Sequence, residues 1–176
     1  VFDVSHMGKV QLRGPGVADW LNTVVASDLN AIAFGKAQYS MLLNANAGVI
    51  DDLIVYKLAE DEVWIVPNAS NSDAVVARLR ELLPAEISLT NLHLEFGIVA
   101  IQGPKSPEVL SSLGLPAEIE YMSAVKTTYN NVEVLVCRSG YTGETGFEVL
   151  APNSVLLDLW SKCIAAGASP IGLGAH

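Results

Sequence analysis

The chain carries 176 residues at a formal net charge of −9, with 10 Lys and Arg against 19 Asp and Glu. That balance, with no basic run anywhere, argues against a nucleic-acid surface or a patch for anionic membranes. A hydrophobic content of 51% supports one sizeable core or two fused lobes, yet no apolar run reaches membrane-span length and no signal peptide opens the chain. Cys137 and Cys163 form neither a disulfide framework nor a metal-spaced cluster, so core packing in a reducing compartment is expected, and no metal. The opening Val1-Phe-Asp-Val and the stop in Ile171-Gly-Leu-Gly-Ala-His176 give both ends a cut look. His176 has no context and can be read as the start of a tag.

In chain order, Val10-Gln-Leu-Arg-Gly-Pro-Gly-Val-Ala-Asp-Trp-Leu21 lies over Val99-Ala-Ile-Gln-Gly-Pro-Lys-Ser-Pro-Glu-Val-Leu110 at an offset of 89. Each copy predicts a strand, a Gly-Pro break and a helix. The helix faces are Val17, Trp20, Leu21 and Val24, then Val109, Leu110 and Leu113. A second match, at an offset of 85, pairs Ile65-Val-Pro-Asn68 with Leu150-Ala-Pro-Asn153. Helices follow with faces Val75, Val76, Leu79, Leu82 and Leu156, Leu159, Trp160, Cys163, with Ser70, Ser72 and Asn153 as available N-caps. The expected class is α+β: two related halves of roughly βαββα, residues 1–84 and 85–176, on mostly antiparallel sheets, with a further strand within Ile87–Leu94.

Between these helices, Tyr39–Tyr56 predicts a hairpin around Asn44-Ala-Asn-Ala-Gly48, with Gly48 available for a positive-φ position. Leu53–Tyr56 is apolar on both faces, so its strand is covered on both sides. Asp51 and Asp52 point to opposite faces at its start, and at least one carboxylate heads into a covered region. Two readings stay open: structural acceptors for turn amides around Gly48, or a binding or catalytic carboxylate.

The second half places Arg138-Ser-Gly-Tyr-Thr-Gly-Glu-Thr-Gly-Phe-Glu148 at its hairpin. Glycines at three-residue spacing let backbone approach a ligand, but neither a Walker pattern nor Gly-x-Gly-x-x-Gly is present, and a plain bulged turn is the simpler reading. Glu148 faces away from Phe147 and Val149. Each half thus offers a carboxylate beside a hairpin, Asp52 and Glu148, with Tyr39, Trp64 and Tyr141 as aromatic neighbours. That set suits a cleft for a flat ligand with paired N–H donors, although core packing accounts for any single ring. His6 and Met7 read as edge packing, without a triad, and His93 as a half-exposed strand residue.

Asp3-Val-Ser-His-Met-Gly8, Tyr39–Asn44, Gly48-Val-Ile-Asp-Asp-Leu-Ile-Val-Tyr56 and Ser139-Gly-Tyr-Thr-Gly-Glu-Thr-Gly-Phe-Glu148 closely resemble the aminomethyltransferase (T-protein) family of the glycine cleavage system. The likeness is collinear over nearly the whole chain. It implies transfer of an aminomethyl carbon from the dihydrolipoyl arm of the H-protein to tetrahydrofolate, with release of ammonia, in the cytoplasm or, in a eukaryote, the mitochondrial matrix. Tetrahydrofolate is the implied co-substrate and the lipoylated H-protein the implied partner. Residue by residue, the resemblance implies Asp52 as the catalytic carboxylate and Glu148 as the anchor of the pterin edge. It implies Met7, Tyr39, Val66, Asn68 and Tyr141 as folate-pocket lining, with Trp64 nearby.

The chain departs from the family pattern at Ala47, where a second glycine is common, a minor loop change. It also lacks the family's upstream segment, an Arg-bearing helix beyond Ala175 and the C-terminal barrel, so the fragment is expected to fold but to show little activity. Rival readings are the folate domain of a sarcosine- or dimethylglycine-oxidising enzyme and a non-catalytic folate-binding module. An iron–sulfur assembly or RNA-modification relative is disfavoured because Ser139-Gly-Tyr-Thr-Gly-Glu144 holds no Cys where that branch carries one in its motif.

Overall fold

Period-2 and period-3.6 apolar patterns alternate along the chain, and each strand run finds a helix to cover one face. The computed structural model describes residues 1–175; His176 lies outside the described residues. The elements are β1 (Phe2–Asp3), β2 (Val10–Arg13), α1 (Val17–Asn22), β3 (Lys36–Leu43), β4 (Val49–Ala59), β5 (Glu62–Pro67) and α2 (Ser72–Leu82). Then come β6 (Ser88–Asn91), β7 (Phe96–Gln102), α3 (Ser106–Ser112), β8 (Ala124–Tyr129), β9 (Val132–Cys137), β10 (Gly146–Pro152) and α4 (Asn153–Ala165). They form two five-stranded sheets, β3-β4-β5-β2-β6 and β8-β9-β10-β7-β1. Every named strand pairing is antiparallel. Among the described residues no helix is long and apolar enough to cross a membrane.

The fold is α+β and duplicated, as the self-match implies. Between its two helices each half holds a three-stranded meander, so the expected hairpin gains one strand. The strand order is the same in both sheets once β2 is laid on β7. The first self-match is in phase: Val10 and Leu12 face one helix-covered core, Val99 and Ile101 the other. The second slips by one residue. Ile65 faces the helices, whereas in β10 that face belongs to Phe147, Val149 and Ala151, leaving Leu150 on the other side. The slip coincides with a 3-10 turn, Ala69–Asn71, that separates β5 from α2, while α4 starts directly after Pro152.

The compact units divide at Ser5/His6 and Leu94/Glu95, not at 84/85: one is His6–Leu94, the other Val1–Ser5 with the chain from Glu95 onward. The cause is an exchange of edge strands. β1 precedes β2 in sequence but pairs with β7, Phe2 opposite Ala100. β6 precedes β7 but pairs with β2, Val10 opposite Asn91. His93 lies just past β6 rather than in a strand.

Within His6–Leu94, α1 and α2 cover Val10, Leu12, Leu53, Val55, Val63 and Ile65, all buried. Each such side chain contributes about 1.5–3 kcal/mol by leaving water. Ile54 and Tyr56, on the opposite face of β4, are buried too, so this strand is covered on both sides as its sequence implied. In the other unit α3 and α4 cover Val99, Ile101, Val136, Phe147 and Val149. Both cysteines are buried, and burial pushes the Cys163 thiol up to about 11.

Candidate functional site

The loop feeding β4 is organised by its own first residue. Asn44 Oδ1 accepts from the N–H groups of Asn46 and Gly48, both at 2.9 Å. The positive-φ position is Ala47, at φ 60°, not Gly48. A side chain in that region is strained by about 1–2 kcal/mol. Ala47 therefore sits in a conformation that favours glycine, so it is more than a minor loop change.

Asp51 points to the helix-covered face and is 2% exposed. It accepts from Asn68 N–H at 2.8 Å, Asn68 Nδ2 at 3.0 Å and Asn71 Nδ2 at 2.7 Å. The donors therefore come from the turn entering α2, not from amides around Gly48. A negative group near a helix N-terminus is favourable, and here it stands in for a cap. The N-cap positions are Asn68, Asn71 and Pro152 rather than Ser70, Ser72 or Asn153, and the buried Ser72 Oγ has no hydrogen-bond partner among the described residues.

Asp52 is exposed on the opposite face. Its Oδ1 accepts from Asn68 Nδ2 at 3.1 Å, and its carbonyl accepts from the same nitrogen at 2.8 Å. With its NH2 group turned to both aspartates, Asn68 presents its amide oxygen the other way. Strand register places Met41 opposite Asp52, Tyr39 and Val66 on either side of Ile54, and Trp64 opposite Tyr56. Tyr39 is 53% exposed; Val66 and Trp64 are buried. The Trp64 indole donates to Glu62 Oε1 at 2.9 Å, and the same oxygen accepts from Gln11 and Arg13. Glu62, unnoticed in the sequence, is a carboxylate in an internal network; its signal was its position two residues before Trp64 on one strand face. Met7 is partly buried, its carbonyl 3.2 Å from His93 Nδ1, and the next N–H, of Gly8, donates to Pro67 O at 3.0 Å. Met7, Tyr39, Asp52, Val66 and Asn68 thus all belong to this unit.

Tyr141 and Glu148 belong to the other. Tyr141 is 83% exposed on the β9–β10 loop. Glu148 is partly buried on the sheet face away from Phe147, with Cys137 and Ala100 as its cross-strand neighbours. Its carboxylate accepts a bond from Ser139 Oγ. Burial pushes the Glu148 carboxyl above its ordinary range, and the Ser139 hydroxyl pulls it part of the way back. This loop joins the second and third strands of its meander, whereas Asn44–Gly48 joins the first and second of the other. The two carboxylates do not sit on equivalent hairpins.

The loop glycines have a structural purpose. A β-carbon on Gly140 or Gly146 would overlap the amide of Gln102. That amide donates to Ser139 O at 3.2 Å and Phe147 O at 3.1 Å, and accepts from Thr142 Oγ1 at 2.9 Å. Gln102 is a pin through the loop, and no local pattern in the sequence announces it. One cavity of about 750 Å³ lies beside Gln102, Lys105, Thr142 and Ala168, and another of about 440 Å³ beside Trp20, Leu43 and Arg78. None of the candidate residues lines either. Among the described residues no group of three or more His, Cys, Asp or Glu could hold a metal ion.

Residues 1–176 match the family described as GCVT N-terminal domain. An aminomethyltransferase of Mycobacterium tuberculosis is 48% identical over 180 residues, covering 100% of this chain and 49% of the relative. One from Frankia alni is 46% identical with the same shares. The crystal structure of glycine cleavage system aminomethyltransferase T from Bartonella henselae matches with a TM-score of 0.89 at 34% identity, over 99% of this chain and 48% of that one. A heterotetrameric sarcosine oxidase from Corynebacterium sp. U-96 shares the fold, with a TM-score of 0.64 at 20% identity, over 96% and 85%. The chain spans about half the length of the curated relatives it matches.

Proposed function

This chain belongs to the GCVT N-terminal domain family, and on that premise we propose that the whole protein is a tetrahydrofolate-dependent aminomethyltransferase of the glycine cleavage system. Its donor is the aminomethyl group on the dihydrolipoyl arm of the H-protein, and its products are methylenetetrahydrofolate and ammonia, made in the cytoplasm or, in a eukaryote, in the mitochondrial matrix. The observation that carries the reading is the division of labour at the start of β4. Asp51 is buried among N–H donors, and its neighbour Asp52 is exposed and oriented by one of the same donors.

Asp52 holds a fixed negative charge that favours positive charge developing on the transferred carbon as ammonia leaves, and its carboxylate can also carry a proton. Asn68 holds Asp52 and offers its amide oxygen to a ligand N–H. Tyr39, Val66 and Met7 supply apolar and aromatic lining on the unit that carries Asp52, and Tyr141 stands on the loop that carries Ser139 beside Glu148. Glu148 accepts from the paired N–H groups of a reduced pterin, because one carboxylate meets two parallel donors. These acceptors fit a ligand rich in N–H groups.

The test is single-turnover transfer from aminomethylated H-protein by the full-length protein and its Asp52→Asn variant. The expected loss is at least about 100-fold in rate, with tetrahydrofolate affinity nearly unchanged, because the role belongs to the transition state. Affinity falling in step with the rate would make Asp52 a binding group. No transfer by the unmutated protein would favour a non-catalytic folate module or the folate domain of a sarcosine- or dimethylglycine-type enzyme.

A further inference from the structure

We propose, resting on the reading of Glu148 as the pterin anchor, that Ser139 is its positioning residue: the Ser139 hydroxyl fixes which carboxylate oxygen faces the ligand. Ser139 is 6% exposed, and its Oγ donates to Glu148 Oε2. No other described polar group bonds that carboxylate. Oε1 is therefore the oxygen left to accept from a ligand.

The contact is held from both ends by one side chain. Gln102 Nε2 grips the carbonyl of Ser139 itself and the carbonyl of Phe147, the residue before Glu148. Gly140 and Gly146 leave the room this grip needs. Donor and acceptor are thus tied to a common point on β7, and rotation of the carboxylate breaks its bond to Ser139.

The hydroxyl has a second effect. Burial favours the protonated acid, and a protonated carboxyl presents a donor where a ligand with paired N–H groups needs acceptors. A hydroxyl donating to the carboxylate stabilises the ionised, acceptor-only form against that burial. Its removal moves the carboxyl further upward, so loss of binding on acidification begins at higher pH.

The experiment uses the full-length protein that carries this chain, as wild type, S139A, S139C, S139T and E148Q. One readout is the ¹³C NMR titration of the Glu148 carboxyl without ligand; the other is anaerobic calorimetric titration with tetrahydrofolate from pH 6 to pH 8.5. S139A and S139C should raise the carboxyl midpoint and weaken binding roughly threefold to tenfold at pH 7, the range for one hydrogen bond. The deficit should shrink as pH rises, and S139T should restore both readouts. If S139A does not fold, S139C carries the same two tests. An unmoved midpoint in S139A or S139C overturns the positioning role. Weak binding by E148Q with unaltered binding by S139A also overturns that role and spares the reading of Glu148. Wild-type binding by E148Q overturns both.

Discussion

The two meanders solve one problem, a carboxylate near a loop, in opposite ways. In His6–Leu94 the loop Asn44–Gly48 is closed by its own Asn44, and the carboxylates meet the amides of Asn68 and Asn71. In the other unit the β9–β10 loop is pinned from a distant strand by Gln102, and Glu148 has Ser139 for its donor. The first arrangement surrounds a buried charge with donors. The second leaves a partly buried acid short of them, so burial wins and the acid's proton is held more tightly. Duplication preserves strand order, and each copy is then free to place its charge where its own loop can support it.

The sharpest way to break this comparison is at Asp51. Asp51→Ala leaves the Asn68 backbone N–H and the Asn71 amide without their acceptor and should destabilise the full-length protein by about 2–4 kcal/mol in urea unfolding. Asp52→Ala, which removes an exposed side chain, should stay within about 1 kcal/mol. Equal losses would mean the donors around Asp51 find water instead. Asp51→Asn, which strand period alone would offer as a harmless control for Asp52→Asn, is expected to damage folding.

A smaller effect separates Glu148 from Asp51. The folded-state pKa of Glu148 is raised, so the folded protein holds this proton more tightly than the unfolded chain. The associated stability is present in acid and declines as pH rises through the folded-state midpoint. Glu148→Gln, which never ionises, should therefore raise Tm by about 1–3 °C at pH 8 relative to wild type, with little gain near pH 4. Calorimetric scans at both pH values check it; a lowered Tm at pH 8 would show the ionised acid to be well solvated.

The smallest effect lies in the loops. Ala47 holds φ 60° where glycine would sit unstrained, so Ala47→Gly should stabilise by about 0.5–1 kcal/mol. Urea midpoints at matched m-values decide it. A loss would mean that the added freedom of the unfolded chain outweighs the strain.

Periodicity made the helix faces and the β2/β7 correspondence legible, because apolar spacing is what folding acts on. It also separated Asp51 from Asp52 by face. Which of them was buried waited on the turn at Asn68–Asn71, whose amides reach β4 only in three dimensions. Of the two edge strands, β6 is expected within Ile87–Leu94 but without its partner, and β1 is not expected at all. Phe2–Asp3 is too short to show alternation, and nothing in Ser88–Asn91 names β2 rather than β7 as its neighbour. The glycines of the β9–β10 loop read either as a ligand cradle or as a bulged turn. The residue that decides for structure, Gln102, stands more than thirty positions upstream.

The exchange of edge strands also sets an order of assembly on the ribosome. His6–Leu94 is contiguous, so its sheet can close once Asn91 has emerged. β1, made before that unit, has no partner until Ala100 follows. β1 must wait through the synthesis of the entire His6–Leu94 unit, a delay that favours a late, slow closing step. At two residues β1 exposes little edge for wrong pairing in that interval. The brevity that hid it from sequence reading is, during translation, a safeguard.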